Sequence, residues 1–303
     1  MKIVATSPSF SKNEILQKEI FKFFPDAKLN LEGKRFSKSE LINFISDADG
    51  IIVGLEEIDD KVIQSCQNIK IVSKYGVGLN NLIFTDKNIK IGWSGGVNRL
   101  SVAEMVLGYF LMLSRNLYQT SNQLKNGVWN KSGGFQLSGK TVGIIGVGHI
   151  GKELIRLLKP FNCKILVNDI IEQSEYYRSV NATETDIDTL LKTSDFVTIH
   201  TPFNKTTENL ISTLEFQKMK NSAFIINSAR GGIIDELALK LALQNGEISG
   251  GAIDAYIEEP PTDLELLNFH NLITTPHIGG NSNEAIELMG MSAIKHIREF
   301  FKK

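Results

Sequence analysis

Thr141–Asp169 reads TVGIIGVGHIGKELIRLLKPFNCKILVND. A short apolar run, Val142 to Ile145, has the form of a fully buried strand. Glycines follow at Gly146, Gly148 and Gly151. Ile150, Leu154, Leu157 and Leu158 then recur at helical spacing until Pro160 ends the pattern. A second apolar run, Ile165 to Val167, leads to Asp169. Strand, glycine turn, helix, strand and acid in this order make the dinucleotide-binding fingerprint in the context it requires.

Each residue of the turn has a physical task. Gly146 lets the chain leave the strand tightly. Gly148 has no side chain to hold a pyrophosphate away from the backbone. Gly151 lets the helix lie close to the strand. The helix N-terminus then offers free N–H groups and partial positive charge to phosphates. Asp169 can accept hydrogen bonds from a ribose 2′-OH and repels a 2′-phosphate, and Ile170 supplies no compensating cation. The expected cofactor is therefore NAD rather than NADP. Gly146 to Lys152 also matches the start of a GxxxxGK phosphate loop. That motif needs Ser or Thr next as a magnesium ligand, and this chain has Glu153. A nucleoside-triphosphatase is thereby disfavoured.

Working outward, the 303 residues suggest two domains, and 42% hydrophobic with 22% charged residues is a globular composition. A formal net charge of −1 carries no nucleic-acid footprint. No apolar run approaches the ~20 residues of a membrane span. The start, MKIVATSPSF, lacks the apolar core of a signal peptide. Cys66 and Cys163 stand in unrelated contexts, neither a metal nor a redox pair. A cytoplasmic setting is expected.

Before the fingerprint, Ile3 to Ala5, Gly50 to Val53, Ile69 to Ser73 and Ile89 to Trp93 read as strands, with helices over 12–24, 38–47 and 59–67. This alternation predicts a parallel α/β layer. Lys74-Tyr75-Gly76-Val77-Gly78 is a glycine-rich turn at a strand's C-terminal end, where such sheets bind ligands. Gly95 to Leu100 reads as a hinge. Ser101-Val102-Ala103-Glu104 reads as a capping box opening a long apolar helix to about Gln119, followed by a polar connector over 120–139 that carries Trp129.

After the fingerprint, Phe196 to His200, Ala223 to Asn227, Gly251 to Asp254 and Leu272 to Thr275 are apolar throughout, as strands covered on both faces should be. Their polar ends, His200-Thr201-Pro202, Ser228-Ala229-Arg230, Asp254 and Pro276-His277-Ile278-Gly279-Gly280, are placed to line one crevice. A last helix runs from Ser282 to about Phe300. Hydride chemistry on a nicotinamide needs a proton carrier and a positive charge from the protein. Arg230 offers a charged fork for a carboxylate or polarised carbonyl. His277 offers an imidazole, suited to taking and returning a hydroxyl proton. A carboxylate beside it would hold its tautomer, with Glu259 the candidate and Glu258 its ambiguous neighbour. No spacing suggests a metal site.

These separated motifs together resemble the D-isomer-specific 2-hydroxyacid dehydrogenases over nearly the whole chain. The motifs are Lys74 to Gly78, Asn98 to Glu104, Gly146 to Gly151 with Asp169, Asn227 to Gly231, Asp254 with Glu259-Pro260, and Thr275 to Gly280. The resemblance implies two doubly wound α/β parallel-sheet domains: a substrate domain of 1–97 with 281–303, and a Rossmann NAD-binding domain of 98–280. It implies an Arg230, Glu259 and His277 constellation in the cleft, the glutamate before proline being the family's. It implies NAD contacts from Gly146, Gly148, His149, Ile150, Gly151, Asp169, Thr201, Pro202, Ser228, Ala229, Arg230, Asp254, His277 and Gly280. Lys74, Tyr75, Gly76, Val77, Gly78 and Arg99, with Arg230 and His277, are the expected substrate contacts, and backbone N–H groups around Val77 and Gly78 are expected to hold a substrate carboxylate. A homodimer through the long helix and the Trp129 arm is implied.

Within the family the chain looks most like short phosphoglycerate dehydrogenases without a C-terminal regulatory domain, so 3-phosphoglycerate is the expected substrate. Glyoxylate, hydroxypyruvate or D-lactate are the alternatives. Some phosphoglycerate members carry an Arg where this chain has Gly54, which leaves phosphate recognition to Lys74, Arg99 or Lys34-Arg35. A rival of another class is an NAD-binding corepressor, which needs a peptide cleft that no motif here reveals.

Overall fold

Short apolar runs flanked by capped helices give parallel sheets, because each strand must bury both faces while its crossover returns to the same edge. The computed structural model describes residues 1–303. The chain divides into two units, Met1–Asn98 with Gly280–Lys303, and Arg99–Gly279. No helix is long and apolar enough to cross a membrane.

In the first unit five strands lie parallel in the order Lys28–Leu29, Ile3–Ala5, Gly50–Val53, Ile71–Lys74, Lys90–Gly92. Ile51 pairs with Val4 on one side and Val72 on the other. Helices Glu14–Phe23, Lys38–Ile45 and Asp60–Ser65 start on Asn13, Ser37 and Asp59, whose side chains accept from the first free backbone N–H groups. The last helix, Asn283–Phe301, is capped by Ser282 and belongs to this unit. Its Met289, Ala293, Ile294 and Ile297 bury against Leu16, Ile20, Ile52 and Ile71. A Cβ on Gly290 would sit 2.2 Å from Leu16 Cδ1, so glycine sets how closely the helices approach. Ser73 Oγ donates to the Ala293 carbonyl at 2.9 Å, fixing the helix on the sheet.

The second unit is a seven-stranded parallel sheet ordered Ala182–Glu184, Lys164–Asn168, Thr141–Ile145, Phe196–Ile199, Phe224–Asn227, Gly250–Ile253, Leu272–Thr274. The strand order reverses between Thr141–Ile145 and Phe196–Ile199. That is the switch point, where a doubly wound sheet opens a crevice at its C-terminal edge. One face packs Leu190, Ile199, Ile225 and Leu239, and the other packs Val106, Phe110, Val142, Phe196 and Phe224. Phe196 and Phe224 stack with centroids 5.3 Å apart.

Three expectations need correction. Ser101 does not cap a helix. The helix begins at Arg99, and Ser101 Oγ donates instead to the Gly279 carbonyl at 2.7 Å. The apolar helix ends at Ser114 rather than near Gln119. The Phe135 N–H takes the Ser114 carbonyl at 2.7 Å, and Asn116 turns left-handed at φ 50°. The polar connector is partly helical, since Leu117–Lys125 forms a second helix with no buried residue. Three two- and three-residue strands, Lys28–Leu29, Leu82–Ile83 and Ala182–Glu184, are too short to carry a periodic signal.

Candidate active site

The glycine turn leaves strand Thr141–Ile145 at the switch point. Gly146 has φ 91°, and a Cβ there would lie 2.8 Å from the His200 carbonyl carbon of the adjoining strand end. A Cβ on Gly151 would meet the Gly146 carbonyl oxygen at 2.4 Å. Gly148 faces open space, so only something outside the fold needs that position bare. Helix His149–Leu158 starts without a side-chain cap, which leaves its first N–H groups pointing out of the turn. His149 is exposed, and Ile150 packs part of its surface on the core.

Asp169 is half-buried at the end of the neighbouring strand. Its Oδ2 accepts from the Val147 N–H at 2.5 Å and its Oδ1 from the Ile171 N–H at 2.9 Å. The carboxylate thus braces the glycine turn, with a further lone pair on each oxygen. At the ends of the next strands, His200 Nδ1, Thr201 Oγ1 and Ser228 Oγ are buried without a protein partner. Buried polar atoms rarely stay unpaired, so these atoms fit a polar ligand in the crevice. Burial pushes the His200 imidazole down to about 3, which keeps it neutral. Pro202 is exposed beside it. The open direction at Gly148, the uncapped helix and the orphaned hydroxyls all suit a dinucleotide. Glu153, by contrast, accepts from Arg99 at 3.2 Å and Arg156 at 2.7 Å, an arginine clasp with no role for a metal.

His277 and Glu259 lie together. His277 Nδ1 is 2.7 Å from Glu259 Oε1, and the same oxygen accepts from the Tyr256 N–H at 3.2 Å. Glu258 turns away and accepts from Thr262 Oγ1 at 3.3 Å. Arg230 is held by its own loop: Asn227 Nδ2 donates to the Arg230 carbonyl at 2.9 Å, and Asn227 Oδ1 accepts from the Ala229 N–H at 3.0 Å. Gly231 brings this loop against the one carrying Glu259, for a Cβ would fall 1.9 Å from the Tyr256 carbonyl oxygen. Burial lowers the affinity of the Arg230 guanidinium for its proton, and the negative charge of Glu259 offsets this. Arginine remains a cation throughout.

Asp254, expected at the cofactor, has a fully buried side chain. Its Oδ1 accepts from Thr275 Oγ1 at 2.6 Å and the Ile278 N–H at 2.8 Å, and its Oδ2 from the Gly279 N–H at 2.8 Å. Tyr109 OH lies 2.5 Å from Thr275 Oγ1, and Tyr256 OH donates to the Thr275 carbonyl at 3.0 Å. This network holds the loop on which His277 sits at φ 53°, a left-handed conformation that costs a non-glycine residue about 1–3 kcal/mol unless its surroundings impose it. Tyr109 was invisible as a site residue in the sequence, whereas Asn227 and Thr275 stood there only as the first residues of the Arg230 and His277 motifs.

The first unit carries the other expected contacts. Lys74 is buried rather than solvated. Its Nζ donates to the Gly54 carbonyl and, at 2.7 Å, to Asn81 Oδ1. Tyr75 is buried on Phe10. Gly76, Val77 and Gly78 form a half-buried turn. Gly280 also falls in this unit, beside Asn98. Arg99, in the second unit, is paired with Glu153, and Lys34 is paired with Glu32.

Residues 107–279 match the family model described as "D-isomer specific 2-hydroxyacid dehydrogenase, NAD binding domain". The chain is 34% identical over 299 residues to a D-3-phosphoglycerate dehydrogenase of Archaeoglobus fulgidus, covering 96% of this chain and 55% of that protein. The chain belongs to the D-isomer-specific 2-hydroxyacid dehydrogenases. A hydroxypyruvate reductase of Thermotoga maritima is 32% identical, with 94% of this chain and 95% of that protein covered. A solved 2-hydroxyacid dehydrogenase structure from Polaromonas sp. JS6 66 shares the fold at TM-score 0.91 and 24% identity, covering 99% of this chain and 96% of that one. The chain spans about half the length of the phosphoglycerate dehydrogenases it matches. The sheet with the glycine turn is this family's NAD-binding domain.

Proposed function

We propose that the chain is an NAD-dependent dehydrogenase that interconverts a D-2-hydroxy acid and its 2-oxo acid. The observation that carries this reading is the 2.7 Å contact of His277 Nδ1 with Glu259 Oε1, with the Arg230 guanidinium in the field of the same carboxylate. Accepting at Oε1, Glu259 keeps the Nδ1–H tautomer and leaves Nε2 as the nitrogen that exchanges the hydroxyl proton. Arg230 supplies a fixed positive charge for the substrate's oxygens. Gly146, Gly148, His149, Ile150 and Gly151 would hold the pyrophosphate on their N–H groups. Asp169 would take the ribose, and Thr201 and Ser228 the remaining polar edge. NAD, when bound, supplies the hydride acceptor. The N–H groups of Val77 and Gly78 would take the substrate carboxylate.

Lys74 bonds inward to Gly54 and Asn81, which removes the motive for a phosphate at that loop. Arg99 and Lys34 are engaged with carboxylates. These observations favour an unphosphorylated three-carbon or two-carbon 2-oxo acid, such as hydroxypyruvate or glyoxylate. The phosphoglycerate reading is favoured by the names of relatives that share 34–35% identity. A homodimer is inferred from the exposed Leu117, Leu124, Val128 and Trp129 of the arm. A cytoplasmic setting suits the unpaired Cys66 and Cys163.

NADH oxidation with hydroxypyruvate, glyoxylate, pyruvate and 3-phosphohydroxypyruvate tests the reading. The expected order puts hydroxypyruvate or glyoxylate first. A kcat/KM at least about tenfold higher for the phosphorylated acid, a preference of roughly 1.4 kcal/mol, would replace this substrate by phosphoglycerate. No NADH consumption with any of them would remove the dehydrogenase.

A further inference from the structure

Trp93 follows directly on the strand Lys90–Gly92, and its indole N–H donates to the Val77 carbonyl at 2.9 Å. The Val77–Gly78 bond is trans, the one cis bond being elsewhere. In a trans peptide unit the C=O and the following N–H point in opposite directions. The Val77 carbonyl faces Trp93, so the Gly78 N–H faces the other side of the loop. No protein group accepts from the Val77 or Gly78 N–H. The root of the loop is held separately. Lys74 and Asn81 bond to each other at 2.7 Å, and Asn81 Nδ2 donates to the carbonyls of Gly54 at 3.1 Å and Glu56 at 2.6 Å. Lys74 and Asn81 thus clamp the loop's ends, and the indole of Trp93 pins its tip.

We propose that Trp93 is a positioning residue for the substrate carboxylate, its indole N–H aiming the Gly78 N–H at that anion. This rests on the reading that residues 76–78 hold the carboxylate. The indole does two things. It stops the peptide unit from rotating, and it polarises it, because an amide whose carbonyl accepts a hydrogen bond is a stronger donor at its N–H. A phenyl ring at position 93 fills the space and does neither.

The test is steady-state kinetics of the full chain with NADH and hydroxypyruvate, for the unaltered protein and Trp93→Phe. The carboxylate is bound alike in the ground and transition states. KM should therefore rise roughly tenfold while kcat stays within about threefold, and the NADH dissociation constant should not move. Trp93→β-(3-benzothienyl)alanine, which keeps the bicyclic shape and lacks the N–H, should behave the same way and guards against a packing defect in the phenylalanine variant. An unaltered KM in the benzothienyl protein overturns the inference. So does a joint fall of kcat and NADH affinity, which would be a structural effect. Glycine-selective ¹⁵N spectra with NADH and oxamate separate the two readings. If oxamate fails to shift the Gly78 amide in the unaltered protein, the carboxylate loop itself is wrong, and the inference goes with it. If the shift occurs at the same oxamate concentration in the unaltered and benzothienyl proteins, only the role of Trp93 is lost.

Discussion

Asp254 has no surface, yet both of its oxygens work, accepting from Thr275, Ile278 and Gly279 around the loop that presents His277. Asp254→Asn keeps the size but turns an NH₂ toward a backbone N–H. It should cost about 1–3 kcal/mol in urea unfolding for the unpaired group and lower kcat as the left-handed His277 relaxes. An unchanged kcat would show that the loop holds itself. His200 gives a pH prediction. Its folded pKa is lowered to about 3 by burial, so the unfolded chain binds the extra proton as pH falls. Stability from this group is present above the unfolded value near 6.5 and declines by about 1.4 kcal/mol per pH unit toward 3. Unfolding titrations should show this slope in the unaltered protein and a shallower one in His200→Gln. At this scale residue type and motif singled out His277 and Glu259 in the sequence, and the two side chains lie 2.7 Å apart. The burial of Lys74 was not legible, because its acceptors, Gly54 and Asn81, come from 20 residues before it and 7 after.

The glycine turn and its helix separate two kinds of glycine. Gly151 is bare because the fold needs it, with the Gly146 carbonyl 2.4 Å from any Cβ, whereas Gly148 faces open space. Gly151→Ala should destabilise the protein by roughly 1–3 kcal/mol through forced backbone movement. Gly148→Ala should leave the melting temperature unchanged and weaken NADH binding about tenfold or more, some 1.4 kcal/mol. Calorimetry and NADH titration of the two variants check this, and equal losses of stability would contradict it. Elements with long buried periods, such as Thr141–Ile145, His149–Leu158 and Asn283–Phe301, were readable from their apolar spacing. The break at Asn116 was not, since the Phe135 N–H that takes the Ser114 carbonyl lies 21 positions further along the chain. Ser101 fails as a cap for a similar reason: its acceptor, the Gly279 carbonyl, is 178 residues away.

At the scale of the whole molecule, two α/β units, each with its own parallel sheet, are built from one chain, with the last helix returned to the first unit by Leu16 and Ser73. That return was foreseeable from a helix following the final strand, and the NAD-binding role of the second unit was legible in the motifs at its strand ends. The cofactor preference also belongs here. Asp169→Ala should narrow the ratio of NADH to NADPH kcat/KM, and it should also loosen the glycine turn that Asp169 braces through Val147. A ratio that stays the same would remove Asp169 as the determinant. The central claim is that a proton moves through His277, held by Glu259, as the substrate gains or loses hydride. The most direct measurement is the turnover of His277→Ala with saturating NADH and the best 2-oxo acid, beside its NADH dissociation constant. The kcat should fall by about 10²–10⁴-fold, the usual worth of general acid–base catalysis, with NADH binding intact. A kcat within about threefold of the unaltered enzyme, a difference under roughly 0.7 kcal/mol, would contradict it.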